Sequence, residues 1–204
     1  MANILIACEF SGVVREAFRA LGHNAISVDL SPADNASPHH YTGDVFELLR
    51  HYRAANGTRY FKCGIQWDAL IAFPPCTHLS SSGARWWSEK RADGRQAAAV
   101  QFVRRLASVS PIKHKAIENP IGYLSTAWRK PDQIIQPWQF GHGETKATCL
   151  WLQNLPKLAP TDIVDGRVPR IHQMSQKPDR AKLRSITYAG IAAAMAEQWS
   201  PILA

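Results

Sequence analysis

The sequence predicts an α/β fold, a mostly parallel sheet with an antiparallel edge strand and helices on both faces. Three observations lead there. Residues 3–10 and 68–76 contain unbroken apolar runs, the pattern of strands buried on both faces rather than on one. Residues 13–21 and 96–108 place apolar side chains at helical spacing. Strand-like and helix-like stretches then alternate along the chain, which is how parallel strands are joined.

Composition bounds the answer. The chain has 204 residues, 46% hydrophobic and 20% charged, enough for one sizeable core and little room for a second, so residues 1–204 are expected to form a single domain. Cys8, Cys63, Cys76 and Cys149 lie far apart with no paired spacing, which argues against a disulfide framework and against a zinc site. No run reaches membrane-spanning length, and no basic segment with a signal core opens the chain. A reducing, cytoplasmic setting, no membrane and a monomer are expected. A net charge of +8 favours a polyanionic partner.

Residues 3–10 read as the first strand, Ser11-Gly12 as a turn, and residues 13–21 as a helix with Val14, Ala17, Phe18 and Leu21 on one face, closed by Gly22. A second strand over 25–30 carries Asp29. A strand, glycine turn, helix and strand ending in a carboxylate can lay a nucleoside across strand ends, the carboxylate accepting from ribose hydroxyls. Asp29 fits that role and equally that of a turn cap before Ser31-Pro32. Residues 41–45 read as a short third strand entering a helix through Leu49 and Tyr52, with Asp44 at its start. His39-His40 has no further ligand at metal spacing and reads as solvated loop, so no metal is expected. Residues 56–64 read as a loop.

The fourth strand, from Asp68, ends on Pro74-Pro75-Cys76. Prolines cannot continue a central strand, so Cys76 sits just past the carboxyl end, where open α/β sheets bind ligands. It is either a nucleophile or a structural thiol. Residues 80–95 combine serines, Gly83, Trp86, Trp87 and cations, the makeup of a mobile loop with stacking surfaces; at least one tryptophan is expected to pack inward. The helix over 96–108 turns Ala99, Phe102, Val103 and Leu106 inward and Arg104 and Arg105 outward. Residues 113–120 form the next strand and deliver Glu118-Asn119-Pro120 to the same edge as Cys76, a nucleophile beside an acid. Residues 134–140 and 147–152 read as a hairpin-like pair closing the sheet. Residues 156–184 lack periodicity and carry seven Lys or Arg against three Asp. A last helix over 185–199 is Ala-rich, with Ile186, Ala189, Ala193 and Ala196 in one stripe.

In this order the parts resemble the DNA (cytosine-5) methyltransferases over most of the chain, which implies a Rossmann-like S-adenosylmethionine-dependent methyltransferase fold. Phe10-Ser11-Gly12 is similar to the first cofactor motif, Asp29 to the ribose carboxylate, Gly43-Asp44-Val45 to the element beside the adenine, Pro75-Cys76 with Leu79-Ser80 and Gly83 to the catalytic-cysteine motif, and Glu118-Asn119-Pro120 to the Glu-Asn-Val motif. Phe140-Gly141 through Leu152 resembles the base-pocket motif. The resemblance implies cofactor contacts from Phe10, Ser11, Gly12, Asp29, Leu30, Asp44, Val45 and Pro74 to S-adenosyl-L-methionine, and a catalytic set of Cys76, Glu118, Asn119 and Lys146. It implies nucleic-acid contacts from Ser80, Arg85, Trp86, Arg95, Lys146, Thr148, Arg180, Lys182 and Arg184.

The implied chemistry is addition of the Cys76 thiolate to cytosine carbon 6, which makes carbon 5 nucleophilic enough to take a methyl group, with Glu118 on ring nitrogen 3 and the exocyclic amine. Asn119 is expected to hold the Pro-Cys loop. A base inside a duplex would first be flipped out, with residues 80–95 filling the gap. Three departures stand out. Val14 replaces a second glycine; Glu144, Lys146 and Thr148 replace a Gln and two Arg; and the basic segment 156–184 occupies the place of a target-recognition domain. Lysine is a point charge where arginine is a rigid fork. The basic segment is expected to touch phosphate, so DNA binding, duplex or single-stranded, should have low sequence specificity unless a partner protein supplies recognition. Other readings are a non-catalytic nucleic-acid binder or decoy, and a methyltransferase for RNA or a free nucleotide. An amino-methyltransferase needs Asp or Asn before the prolines, where this chain has Phe73.

Overall fold

The computed structural model describes residues 1–170 and 180–203. Apolar runs become buried strands as expected: β1 (Asn3–Ala7), β2 (Asn24–Asp29), β3 (His40–Thr42), β6 (Ala69–Ala72) and β7 (His114–Pro120) pair in parallel, with β1 between β2 and β6. Strands β8 (Gln133–Ile135) and β9 (Thr148–Gln153) complete one seven-stranded sheet of order β3-β2-β1-β6-β7-β9-β8. Only β9 is reversed, being antiparallel to both β7 and β8, so the reversed strand lies one place in from the edge and β8 runs with the rest. The chain switches from one side of β1 to the other between β3 and β6. Ligands in such sheets bind at the carboxyl ends beside that switch.

Alternation along β1 feeds two cores. Ile4 and Ile6 pack with α1 (Val13–Ala20) through Val14 and Phe18, and with the last helix through Ile191, Met195 and Trp199. Leu5 and Ala7 face the other way, toward Val100, Val103 and Leu106 of α4 (Arg95–Ala107). Helices therefore cover both faces, and each large apolar side chain fully buried this way contributes about 1.5–3 kcal/mol relative to exposure.

Four sequence expectations are corrected. The helix expected through Tyr52 is a single turn, α2 (Val45–Leu48), because His51–Arg53 and Arg59–Phe61 form a separate antiparallel hairpin, β4 and β5, across what reads as a loop. Residues 80–95 are not a mobile loop: Ser81–Trp86 is a 3-10 turn running into α3 (Trp87–Ala92). A further turn, α5 (Leu124–Ala127), follows β7. Segment 156–184, read as aperiodic, ends in α6 (Arg180–Ser185); its residues 171–179, including Lys177 and Asp179, lie outside the described residues. The last helix is α7 (Ala189–Leu203), whose buried side is Ile191, Met195 and Trp199 at i, i+4 and i+8. Alanines of that helix are both exposed, as Ala189, and buried, as Ala192, Ala194 and Ala196, so an alanine stripe carries no direction and the bulky side chains decide it. No helix among the described residues is long and apolar enough to cross a membrane.

Candidate functional site

Two features at the carboxyl edge of the sheet bear on ligands, a cavity and the side chains around Cys76. The first is a cavity of about 530 Å³ over β1, β2 and β3. Asp29, Leu30, Asp44 and Val45 line it as the sequence predicts. Asp44 caps α2, its Oδ1 accepting from the Phe46 N–H at 3.0 Å, and Asp29 Oδ1 accepts from the Ser31 N–H at 2.8 Å. Asp29 is therefore a turn cap through one oxygen and also lines the cavity. The opposite wall was not anticipated. It is built by Pro75 and His78 after β6 and by Ala98, Ala99 and Phe102 of α4, so half of the helix face expected to point into the core borders this cavity instead. Its floor includes Cys8, a non-glycine residue at φ 59 just past β1. Burial, then the carboxylates of Asp29 and Asp44, push the Cys8 thiol up to about 12, so it stays protonated.

Phe10, Ser11 and Gly12 do not line that cavity. They form the β1–α1 turn, which the chain fills with its own charges. Glu9, buried, accepts from the Val14 and Arg15 N–H groups at 2.6 and 3.3 Å and so caps α1. Burial outweighs these bonds and holds its carboxyl up, at about 7. Arg15 is fully buried, its guanidinium donating to Ser27 Oγ at 2.6 Å and Asn35 Oδ1 at 2.7 Å. A Cβ on Gly12 would lie 2.2 Å from that guanidinium, and φ is 75 there, so the glycine is required twice over. Neither Glu9 nor Arg15 was singled out from the sequence; a carboxylate directly ahead of a helix start was the available signal.

The second feature is the surroundings of Cys76, the exposed member of the four free cysteines. Strands β6 and β7 are paired through Ala72 and Ile117, which brings the residues just beyond, Cys76 and Glu118, to adjacent strand ends. Asn119 Nδ2 donates to the Pro74 carbonyl at 2.8 Å and holds the Pro-Cys segment from beneath, as expected of it. Pro74 itself is buried, and Pro75 is the proline that meets the first cavity. The Leu79 and Ser80 N–H groups both donate to the Cys76 carbonyl, closing a tight turn. Three further ties were not foreseen: buried Lys90 donates to the Thr77 carbonyl at 2.7 Å, buried Gln96 donates to the His78 carbonyl at 3.2 Å, and Gly122 approaches so closely that a Cβ would lie 2.0 Å from the Leu79 carbonyl. The thiol is thus presented by a clamped loop.

Charge around it is arranged with opposing signs. Burial and then Glu118 push the Cys76 thiol up, while Lys146 and Arg184 pull it down. Burial likewise pushes the Glu118 carboxyl up, with Lys146 opposing. Lys146 acts on both groups, and its Nζ donates to the Arg184 carbonyl at 2.7 Å.

The rest of the expected nucleic-acid set is divided by the structure. Trp86 is half exposed with Arg85 over its ring, and Ser80 caps the 3-10 turn through the Ser82 N–H. Arg95 lines the first cavity and is paired with Asp93 and Glu89. Thr148 is buried, its hydroxyl donating to the Lys146 carbonyl at 3.0 Å, so it offers nothing to a base: a correction caused by its place in β9. Glu144 accepts from the Tyr188 hydroxyl at 2.7 Å and pairs with Arg170 at 3.6 Å. The basic segment is not a free arm either. The Gly141 N–H donates to the Asp162 carbonyl, Val164 N–H to that of Trp138, and Val168 N–H to that of Gly143, while Arg167 covers the Trp138 ring. Lys182 is held by Asp34 at 2.6 Å and lies over the Phe10 ring, and Arg180 Nε is buried without a partner among the described residues. These cations are partly spent on the protein, which corrects the expectation of a plain phosphate-contacting stretch.

No family model matches the chain, and no curated protein matches it. A solved E. coli prophage structure described as a DNA modification methyltransferase is similar with a TM-score of 0.50 at 16% identity, over 80% of this chain and 52% of that one. This is a Rossmann-like methyltransferase fold. The chain spans about half the length of the methyltransferase structure it matches. At that identity the likeness is one of architecture, and chemistry has to be argued from the two sites.

Proposed function

We propose that this chain methylates carbon 5 of cytosine in DNA, with S-adenosylmethionine as methyl donor and a covalent adduct at Cys76. The observation that carries the reading is the meeting of Cys76 and Glu118 at adjacent strand ends with Asn119 bonded to Pro74, beside a cavity of about 530 Å³. That volume falls within the range of about 300–1,000 Å³ usual for small-ligand sites. The cavity is mostly apolar with two carboxylates, which suits a nucleoside: Asp29 would accept from ribose hydroxyls, and Val45 and Phe102 would flank the base. The bound cofactor supplies an electrophilic methyl group.

Burial raises the proton affinity of Glu118, so its carboxyl can carry a proton to ring nitrogen 3 of the target cytosine while its other oxygen accepts from the exocyclic amine. The Cys76 thiol gives its proton to water, the thiolate forms a bond to carbon 6, and the displaced ring electrons make carbon 5 nucleophilic. Lys146 offsets negative charge on both residues. After methylation at carbon 5, water takes the proton there, its electrons restore the ring double bond as the carbon 6–sulfur bond breaks toward sulfur, and nitrogen 3 returns its proton to Glu118. Trp86, half exposed with Arg85 over its ring, offers a stacking surface for a base.

A non-catalytic nucleic-acid binder is the second reading, favoured by one observation: Lys146 and Glu144 are both occupied by residues of the C-terminal part, Arg184 and Tyr188. Incubation with 5-fluorocytosine strands and cofactor discriminates. A denaturation-resistant adduct lost in Cys76→Ser supports methylation, and no adduct on any strand refutes it. Comparing duplex DNA, single-stranded DNA, RNA and nucleotide in the same assay identifies the substrate.

A further inference from the structure

The β4–β5 hairpin belongs to neither site. Its register pairs His51 with Phe61, Tyr52 with Tyr60 and Arg53 with Arg59. Side chains two apart share a face of a strand. One face therefore carries His51 and Phe61, whose rings meet edge to face as Phe61 is buried against the domain. The other face carries Tyr52 and Tyr60, with Arg50 and Lys62 continuing it at the next position of each strand. The two tyrosine rings lie 5.9 Å apart at 30°, and they are 51% and 36% exposed. Arg50 and Lys62 are exposed and line a cavity of about 400 Å³ with His51 and with Arg105, whose guanidinium stacks 3.4 Å over Phe46. Residues 48–67 hold four Lys or Arg and no carboxylate. The flanking carboxylates are engaged elsewhere: Glu47 accepts from the Tyr41 hydroxyl and Asp68 from the Asn3 N–H.

Cations without an acid beside a paired aromatic platform match what an unpaired polynucleotide offers: phosphates for Arg50 and Lys62, and base faces for the tyrosines. We infer that this hairpin is a docking arm for single-stranded DNA, separate from the Cys76 site, stacking bases on Tyr52 and Tyr60 and holding phosphates with Arg50 and Lys62. The site serves retention of the strand and does not depend on the chemistry at Cys76.

The test uses the full chain carrying Cys76→Ser and a fluorescent oligothymidylate, which contains no cytosine for the other site. Tyr52→Ala with Tyr60→Ala is expected to weaken binding roughly tenfold or more, while the paired Phe replacements, which keep the rings, bind as the parent does. Arg50→Gln with Lys62→Gln should flatten the slope of log affinity against log salt by about 1.4, two single-strand phosphate contacts. A 2-aminopurine placed in the strand should be quenched by the parent and not by the alanine pair. Thermal melting of each variant keeps loss of fold apart from loss of stacking. Unchanged affinity in the alanine pair, or equal binding of an abasic strand or of a duplex, would overturn the inference.

Discussion

The cavity over β1, β2 and β3 and the surroundings of Cys76 each present a strand-end cysteine, and the contrast between them shows how one sheet sets different electrostatics at neighbouring strands. Cys8, after β1, sits under Asp29 and Asp44, and burial and both carboxylates act together to keep its thiol protonated. Cys76, after β6, feels burial and Glu118 in the same direction, but Lys146 and Arg184 oppose them. A wall of α4 alanines and Phe102 makes the cavity apolar, whereas Cys76 is ringed by titratable groups.

The largest expected effect breaks the contrast at its centre. Cys76→Ser should lower methyl transfer to DNA roughly a thousandfold or more, while Cys8→Ser leaves it within a few-fold. Retained turnover in the first variant, in a radiolabelled methyl-transfer assay, would refute the mechanism. Glu118→Gln follows, with turnover down about a hundredfold and S-adenosylhomocysteine affinity unchanged by calorimetry. A loss of affinity there would mean that the two sites are coupled.

Asp29→Ala tests the apolar side: loss of a charged hydrogen-bond acceptor should cost S-adenosylmethionine binding about 1.5–3 kcal/mol, and unchanged affinity would leave Asp29 as a turn cap alone. A finer probe is iodoacetamide labelling of Cys76 against pH. Lys146→Met removes a cation that favours the thiolate, so labelling should move to higher pH, whereas Glu118→Gln removes a repelling carboxylate and should move it lower. Shifts in the same direction would contradict the arrangement of charge.

The smallest effect lies at the α1 turn. Glu9 is raised from 4.5 to about 7, so its folded state holds the proton more tightly than the unfolded chain does. Its contribution is fully present below about 4.5 and is lost as pH rises through about 7. The melting temperature of the protein relative to Glu9→Gln should fall by a few degrees across that window. A difference constant with pH would show that Glu9 does not titrate there.

The sequence by itself determined the strands, the order of the chemistry-bearing residues and the edge they occupy, because burial on both faces writes unbroken apolar runs and because prolines must end a strand. That is why Cys76, Glu118, Asn119, Asp29 and Asp44 were legible, each lying within a few residues of a strand end. Tertiary structure decided what reads weakly or spans long separations. The β4–β5 hairpin was missed although Asn56-Gly57 is a turn signal, since its strands are only three residues each and too short for a period to show. Arg15 filling the β1–α1 turn, Lys90 and Gln96 clamping the Cys76 loop, and α6 held against Lys146 and Asp34 depend on partners 12 to 148 positions away. A local pattern records which face a side chain turns toward; only the assembled fold fixes which distant charge meets it there.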